Sequence, residues 1–308
     1  MSDVICYGSL IPDRVLRLPR FPRPGEGMHA LSEKLYLGGE PCNVGGHLAT
    51  WGVPVAIAGN NVGTDALGTF VHEQLMRRPN TTVISRSDPA IQTPTCYIWT
   101  TPDGERTIVP SWPTPTGWNL PDAPLLENAR LVSASIFGPG MNEMLALARS
   151  HNKPLAVADI AGPDDPRLMG AVLVTTSRTV LHQRHQVTDI EAWIAAVHAA
   201  SGAVVVVSDG LRLAVARSAD GRWVTAEPPP IIPVDTTGAG DALKAGMMLG
   251  WLRGWPIEQT LRWSIAAASL ACLQYGACEQ PASIPEVEHL MPQVHIHQEG
   301  VQIRKRGG

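Results

Sequence analysis

Six short apolar runs constrain this chain more than any other feature: residues 3–9, 55–59, 131–137, 155–159, 171–175 and 203–208. Each is nearly unbroken Val, Ile, Leu and Ala. A strand with one wet face alternates apolar and polar positions, whereas a strand covered on both faces does not have to. Between the runs lie stretches of helical period: 65–78, 141–152 (stopped by Lys153-Pro154) and 189–201. In the last of these Ile190, Trp193, Ile194 and Val197 form one apolar stripe. Strand and helix in alternation predict a parallel sheet with helices on both faces, a three-layer α/β sandwich. The chain has the length and the apolar content to fill it, with 308 residues of which 44% are apolar.

Two stretches break the rhythm. Residues 12–40 are rich in Pro and Gly and carry alternating polar positions, as in Arg17-Leu18-Pro19-Arg20-Phe21-Pro22. Residues 93–110 read as a hairpin: 95–100, a turn at Pro102-Asp103-Gly104, and a return over 106–109. One-sided strands set into a two-sided frame predict a small β lid, carried by a single domain over 1–308. The Pro-rich run 110–124 is expected as a surface connection.

Charge narrows the partners. Lys and Arg number 24 against 28 Asp and Glu, a net charge of −4, so nothing draws the whole chain to nucleic acid or to an anionic membrane. No run of 18 apolar residues occurs, and the first residues lack a basic segment followed by an apolar one. A cytoplasmic protein is expected. Cysteines at 6, 42, 96, 272 and 278 have no metal spacing and are expected as reduced thiols, those at 272 and 278 in core or loop. His295-Ile296-His297 has no third ligand in view, so a frayed tail is expected there. Arg304-Lys305-Arg306 is expected as solvated charge.

The richest stretch is Val234-Asp235-Thr236-Thr237-Gly238-Ala239-Gly240-Asp241-Ala242-Leu243-Lys244-Ala245-Gly246. An apolar helix is expected over 242–251, with Gly238, Ala239 and Gly240 at its N-terminus. Amides there have no partner within the helix, and the helix dipole favours an anion. The string has neither the Gly-Lys-Ser/Thr of a P-loop nor the three-glycine spacing of a dinucleotide fingerprint. An acid beside an anion hole serves poorly to hold phosphate alone. It suits a base that takes the proton of a hydroxyl attacking a phosphoryl group. Read alone, an Asp after a Gly is more simply an acid satisfying a helix N-terminus, and it is the whole Asp-Thr-Thr-Gly-Ala-Gly-Asp string that favours the base. Lys244 is expected as a surface lysine, with reach toward a phosphate as the other reading.

The whole string resembles the second signature of the ribokinase-like, or PfkB, family of carbohydrate and nucleoside kinases. Gly38-Gly39-Glu40-Pro41-Cys42-Asn43-Val44-Gly45-Gly46 is similar to the first signature, and Gly8-Ser9-Leu10-Ile11-Pro12-Asp13 to the family's first strand with its substrate aspartate. Asn61-Val62-Gly63-Thr64-Asp65-Ala66-Leu67-Gly68, the hairpin Asp103-Gly104-Glu105-Arg106-Thr107 and Gly276-Ala277 follow at the family's spacing, so the likeness spans roughly the first 290 residues. It implies a ribokinase-like three-layer α/β/α sandwich with a mostly parallel central sheet and a small β-sheet lid. It also implies ATP with Mg2+ and transfer to a hydroxyl of a sugar or nucleoside, with pairing of two copies through the lid.

By the same resemblance Asp241 is the general base, and Gly238, Ala239 and Gly240 form the anion hole. Asp13, Gly39 and Asn43 hold acceptor hydroxyls, and Thr236 and Gly276 lie on the nucleotide side. Asp235 is similar to a residue that helps bind a monovalent cation, K+. Without the family, Asp13 and Asp235 read as turn residues and Asn43 as a helix N-cap. One departure stands out. The family's Asn-x-x-Glu, which orders Mg2+, is replaced by Val174-Thr175-Thr176-Ser177-Arg178-Thr179-Val180-Leu181, without Asn or Glu. A sugar-binding regulator with weak chemistry is therefore the alternative, and a dinucleotide oxidoreductase is disfavoured by Pro12 after the first strand. Asp209 is expected as a turn residue, while Arg14, Arg17 and Arg106 are expected on the lid surface.

Overall fold

The structure, a computed structural model, describes residues 2–102, 106–135 and 140–298. The chain opens with β1 (Val4–Gly8), makes a first excursion with β2 (Ile11–Arg17) and β3 (Ser32–Gly38), and returns through α1 (Glu40–Thr50) to β4 (Val55–Gly59). The two-residue β5 (Val62–Gly63), α2 (Ala66–Met76), β6 (Thr81–Ile84) and the two-residue β7 (Ser87–Asp88) follow. A second excursion makes β8 (Thr95–Thr100) and β9 (Arg106–Ser111). Next come α3 (Ala123–Asn128), β10 (Leu131–Ala134), α4 (Met141–Ser150), β11 (Leu155–Ala158), β12 (Ala171–Ser177), α5 (Arg178–His185), α6 (Ile190–Ser201) and β13 (Val204–Ser208). The last part holds β14 (Ala214–Arg217), β15 (Trp223–Glu227), α7 (Ala239–Arg253), α8 (Ile257–Ala271), α9 (Ile284–Leu290) and β16 (His295–Gln298).

Ten of these strands form one sheet in the order β16-β15-β14-β13-β12-β11-β10-β1-β4-β6. It is parallel from β6 to β13 and antiparallel from β13 to β16. The apolar runs of the sequence are its centre, and β1 shows why they do not alternate. Val4 and Cys6 enter the core shared with α1, α7 and α8, while Ile5 and Tyr7 enter the core shared with α4 and α6. Both faces are dry, so every position of the strand is apolar. The five cysteines are buried thiols.

The two excursions meet in a separate four-stranded sheet ordered β3-β2-β8-β9, the lid. Its hairpins are antiparallel within themselves, but β2 and β8 run parallel, with Asp13 opposite Cys96 and Arg17 opposite Thr100. The motif at Val62–Gly68 braces this arrangement. Asp65 caps α2 through the Gly68 amide and also accepts from the Thr93 amide and hydroxyl, just ahead of β8.

Several expectations need correction. Asp13 lies within β2 opposite Tyr36, so it is no turn residue, and Asn43 lies inside α1, whose N-cap is Gly39. The helix expected over 242–251 begins at Ala239. His295 and His297 are no frayed tail, because β16 pairs with β15. Asp209 does more than turn the chain, forming ion pairs with Arg178 at 2.9 Å and Arg212 at 3.1 Å. The hairpin turn at Asp103-Gly104, the end of the 131–137 run and the basic triplet at 304–306 lie outside the described residues.

Candidate active site

Two helix N-termini converge beneath the lid. The first is that of α7. Its N-cap, Gly238, is left-handed (φ 79°), and a Cβ there would sit 2.3 Å from the Ala277 carbonyl oxygen. Only glycine satisfies both demands. No side chain caps this helix, and a Cβ on Gly240 would meet nothing within 4 Å. The Ala239 amide makes only a long 3.4 Å contact to the Thr236 carbonyl and the space beside Gly240 is open, which suits this helix start to holding an anion.

The second is that of α1. Gly39 (φ 91°) turns the chain so tightly that a Cβ would lie 1.9 Å from the Ser9 carbonyl oxygen. A Cβ on Gly38 would overlap the Asp13 carboxyl. The glycine pair thus seats the helix directly under β2 and its aspartate.

Between the two helices Asn43 Nδ2 donates to Asp241 Oδ2 at 2.8 Å. Asn43 Oδ1 is buried with no hydrogen-bond partner, an acceptor left unsatisfied within the protein. Asp241 itself is half-buried. Desolvation pushes its carboxyl above the usual range and the Glu40 carboxylate adds to this, while the Asn43 amide and the Lys244 ammonium act the other way. Burial pushes Asp13, at 8% exposure, up to about 7. Both acids titrate where a base working near neutral pH should.

On the far side of α7 the Asp235 carboxylate accepts from the Thr237 amide at 2.9 Å and the Gly276 amide at 3.1 Å. It makes the turn and ties the glycine loop to the loop bearing Gly276 (φ 86°), which packs on the Tyr36 ring of the lid. From β9, Arg106 Nη1 donates to Thr236 Oγ1 at 3.2 Å. Arg17 lies over the Tyr275 ring at 5.7 Å, and Arg14 pairs with Glu33 at 2.6 Å.

The segment in place of Asn-x-x-Glu spans the end of β12 and the start of α5. Ser177 caps α5 through the Val180 amide, and Thr176 Oγ1 donates to Asp159 Oδ1 at 2.7 Å. Among the described residues no three His, Cys, Asp or Glu side chains converge as a metal site.

Sequence reasoning missed one member of the site. Lys244, expected at the surface, is buried at 1% exposure and paired with Glu40. The signal was present: Ala242, Leu243, Ala245, Met247 and Met248 make α7 apolar all round, which marks a buried helix.

A family model described as pfkB family carbohydrate kinase matches residues 1–284. Ribokinase from Bacillus subtilis is 26% identical over 303 residues, covering 94% of this chain and 100% of that protein. Among solved structures, Arabidopsis thaliana ribokinase complexed with ribose and ATP superposes with a TM-score of 0.77 at 22% identity, over 94% of this chain and 99% of that one. Ribokinase from Thermotoga maritima gives 0.78 at 18% identity, over 95% and 100%.

Proposed function

The chain belongs to the pfkB family of carbohydrate kinases, and on that footing we propose that it transfers the γ-phosphoryl group of ATP to a hydroxyl of a sugar or sugar-like molecule. The observation that carries this reading is the junction of an uncapped, glycine-lined helix start with the Asn43–Asp241 bond at 2.8 Å. Asp241 takes the proton of the acceptor hydroxyl as its oxygen bonds to the γ-phosphorus. The bond to the β-phosphate oxygen breaks, and ADP leaves with that electron pair. The amides of Gly238, Ala239 and Gly240 receive the charge that builds on the transferring group. Asp13, Gly39 and Asn43 hold the remaining hydroxyls in line, which supplies proximity and orientation. Thr236 and Gly276 border the nucleotide. The lid excludes water, so that hydrolysis does not compete.

Asp235 is the place for a monovalent cation such as K+, sharing oxygens already held by two amides, and potassium dependence of turnover checks it. ATP as donor favours the cytoplasm. A second copy over the exposed Tyr97 and Val109 of the lid would cover apolar surface, which light scattering tests. Among the described residues no helix is long and apolar enough to cross a membrane.

A panel of sugars and nucleosides incubated with ATP, read by ADP release, tests the activity. We expect Asp241→Asn to lower turnover by about 10²–10⁴-fold with acceptor binding kept. Binding of a sugar with transfer to no acceptor would instead support the regulator, which the Thr176–Asp159 bond favours by occupying the segment that lacks its acid.

A further inference from the structure

The ion pair of Lys244 and Glu40 has no part in the chemistry above. Lys244 Nζ donates to Glu40 Oε1 at 2.5 Å, with side chains 2% and 12% exposed. Removing two charges from water commonly costs more than their attraction returns, and an apolar pair of the same size would join the helices as well. Place explains the charges better than stability does. Glu40 is the first residue of α1, directly after Gly39 and three before Asn43. Lys244 stands three residues beyond Asp241 on α7, so it shares a helix face with the base.

We propose that Lys244 is a positioning residue for Asp241, locking the first turns of α7 and α1 together and neutralising the Glu40 carboxylate that faces the base. The assignment rests on the kinase reading above. The groups around Asp241 leave the task to this lysine. From α1 come Glu40, Asn43 and His47, and from α7 comes Lys244. The Cys42 thiol feels both Asp13 of β2 and Asp241, while Asp13 is not among the groups that shift Asp241 most. His47 is buried, which lowers its pKa to about 4, so it carries no charge at neutral pH. Arg78 is committed to the carbonyl oxygens of Cys42 and Cys278. Without the ammonium, the Glu40 charge would act on Asp241 unopposed, and Asp241 would hold its proton to higher pH. Without Glu40 the ammonium would turn to Asp241 and weaken it as a base.

The test is a carbon-13 titration of the Asp241 carboxyl in ligand-free, aspartate-labelled protein, assigned with D241N, beside the pH profile of kcat/KM. We expect K244M to move both the titration and the acid limb up by about one pH unit, and E40Q to move both down by about as much. The double variant E40Q/K244M should return toward the parent. A lysine that only fills space leaves titration and limb unmoved in K244M, which overturns the proposal. Should K244M not fold, an unmoved titration in E40Q overturns it equally. An inactive D241N with neither titration moved removes this proposal alone. A D241N as active as the parent removes the base, and the proposal with it.

Discussion

Burial makes Asp13 and Asp241 costly to ionise, and that cost reaches beyond the chemistry. The folded protein binds a proton at Asp13 up to about pH 7, whereas an unfolded chain releases it near the ordinary aspartate value of about 3.9. Between those values the native state holds more protons than the unfolded one, so this residue makes stability fall as pH rises. His47 acts oppositely below about 6.5, its stabilising effect growing as pH rises from about 4. The difference between Asp13→Asn and the parent isolates the aspartate. We expect the variant to gain Tm relative to the parent at pH 8 and to lose that advantage at pH 4.5, as scanning calorimetry would read. An advantage independent of pH would mean that burial does not hold the proton on Asp13. Such a residue is legible in a sequence only when its neighbours are local. Asp241 stands out because the glycines before it are contiguous; Lys244 does not, because its partner lies 204 positions away.

Helices α7 and α8 pack closely, and two glycines set that closeness. A Cβ on Gly246 would come 2.6 Å from the Ser264 Cα, and one on Gly250 would come 2.3 Å from Thr260 side-chain atoms. We expect Gly246→Ala to lower stability by about 1–3 kcal/mol in urea unfolding, since backbone rather than a yielding side chain stands in the way. The same change should shift α7 and slow turnover while leaving the titration of Asp241 in place. Strands of the parallel core were readable because two-sided burial leaves an unbroken apolar run. The extension β14 to β16 was not, since Ala214–Arg217 is short and polar-ended, and His295–Gln298 looks like tail until a neighbour offers an edge. Helix α7 was placed three residues late because Gly240 reads as a turn residue although it lies within the first helical turn.

Across the whole molecule, Arg78 is a strut. It follows α2, donates to the Cys42 carbonyl of α1 at 2.5 Å and reaches the Cys278 carbonyl at 3.1 Å, so it pins α1 to the loop after Gly276. We expect Arg78→Met to raise KM for ATP several-fold more than KM for the acceptor, because the 276–278 segment loses its anchor while Asn43 keeps Asp241. Equal changes in both constants in steady-state kinetics would show that the strut serves stability only. The lid was legible as two polar excursions from an apolar frame, but not the way they join. Strands β2 and β8 lie side by side in parallel, while the 77 residues between Arg17 and Thr95 must make α1, β4, α2 and β6 of the main body. Closing so long a loop is entropically slow. The two halves of the cover are therefore brought together by the body segments that lie between them, and the roof over the site is only as sound as the floor that carries it.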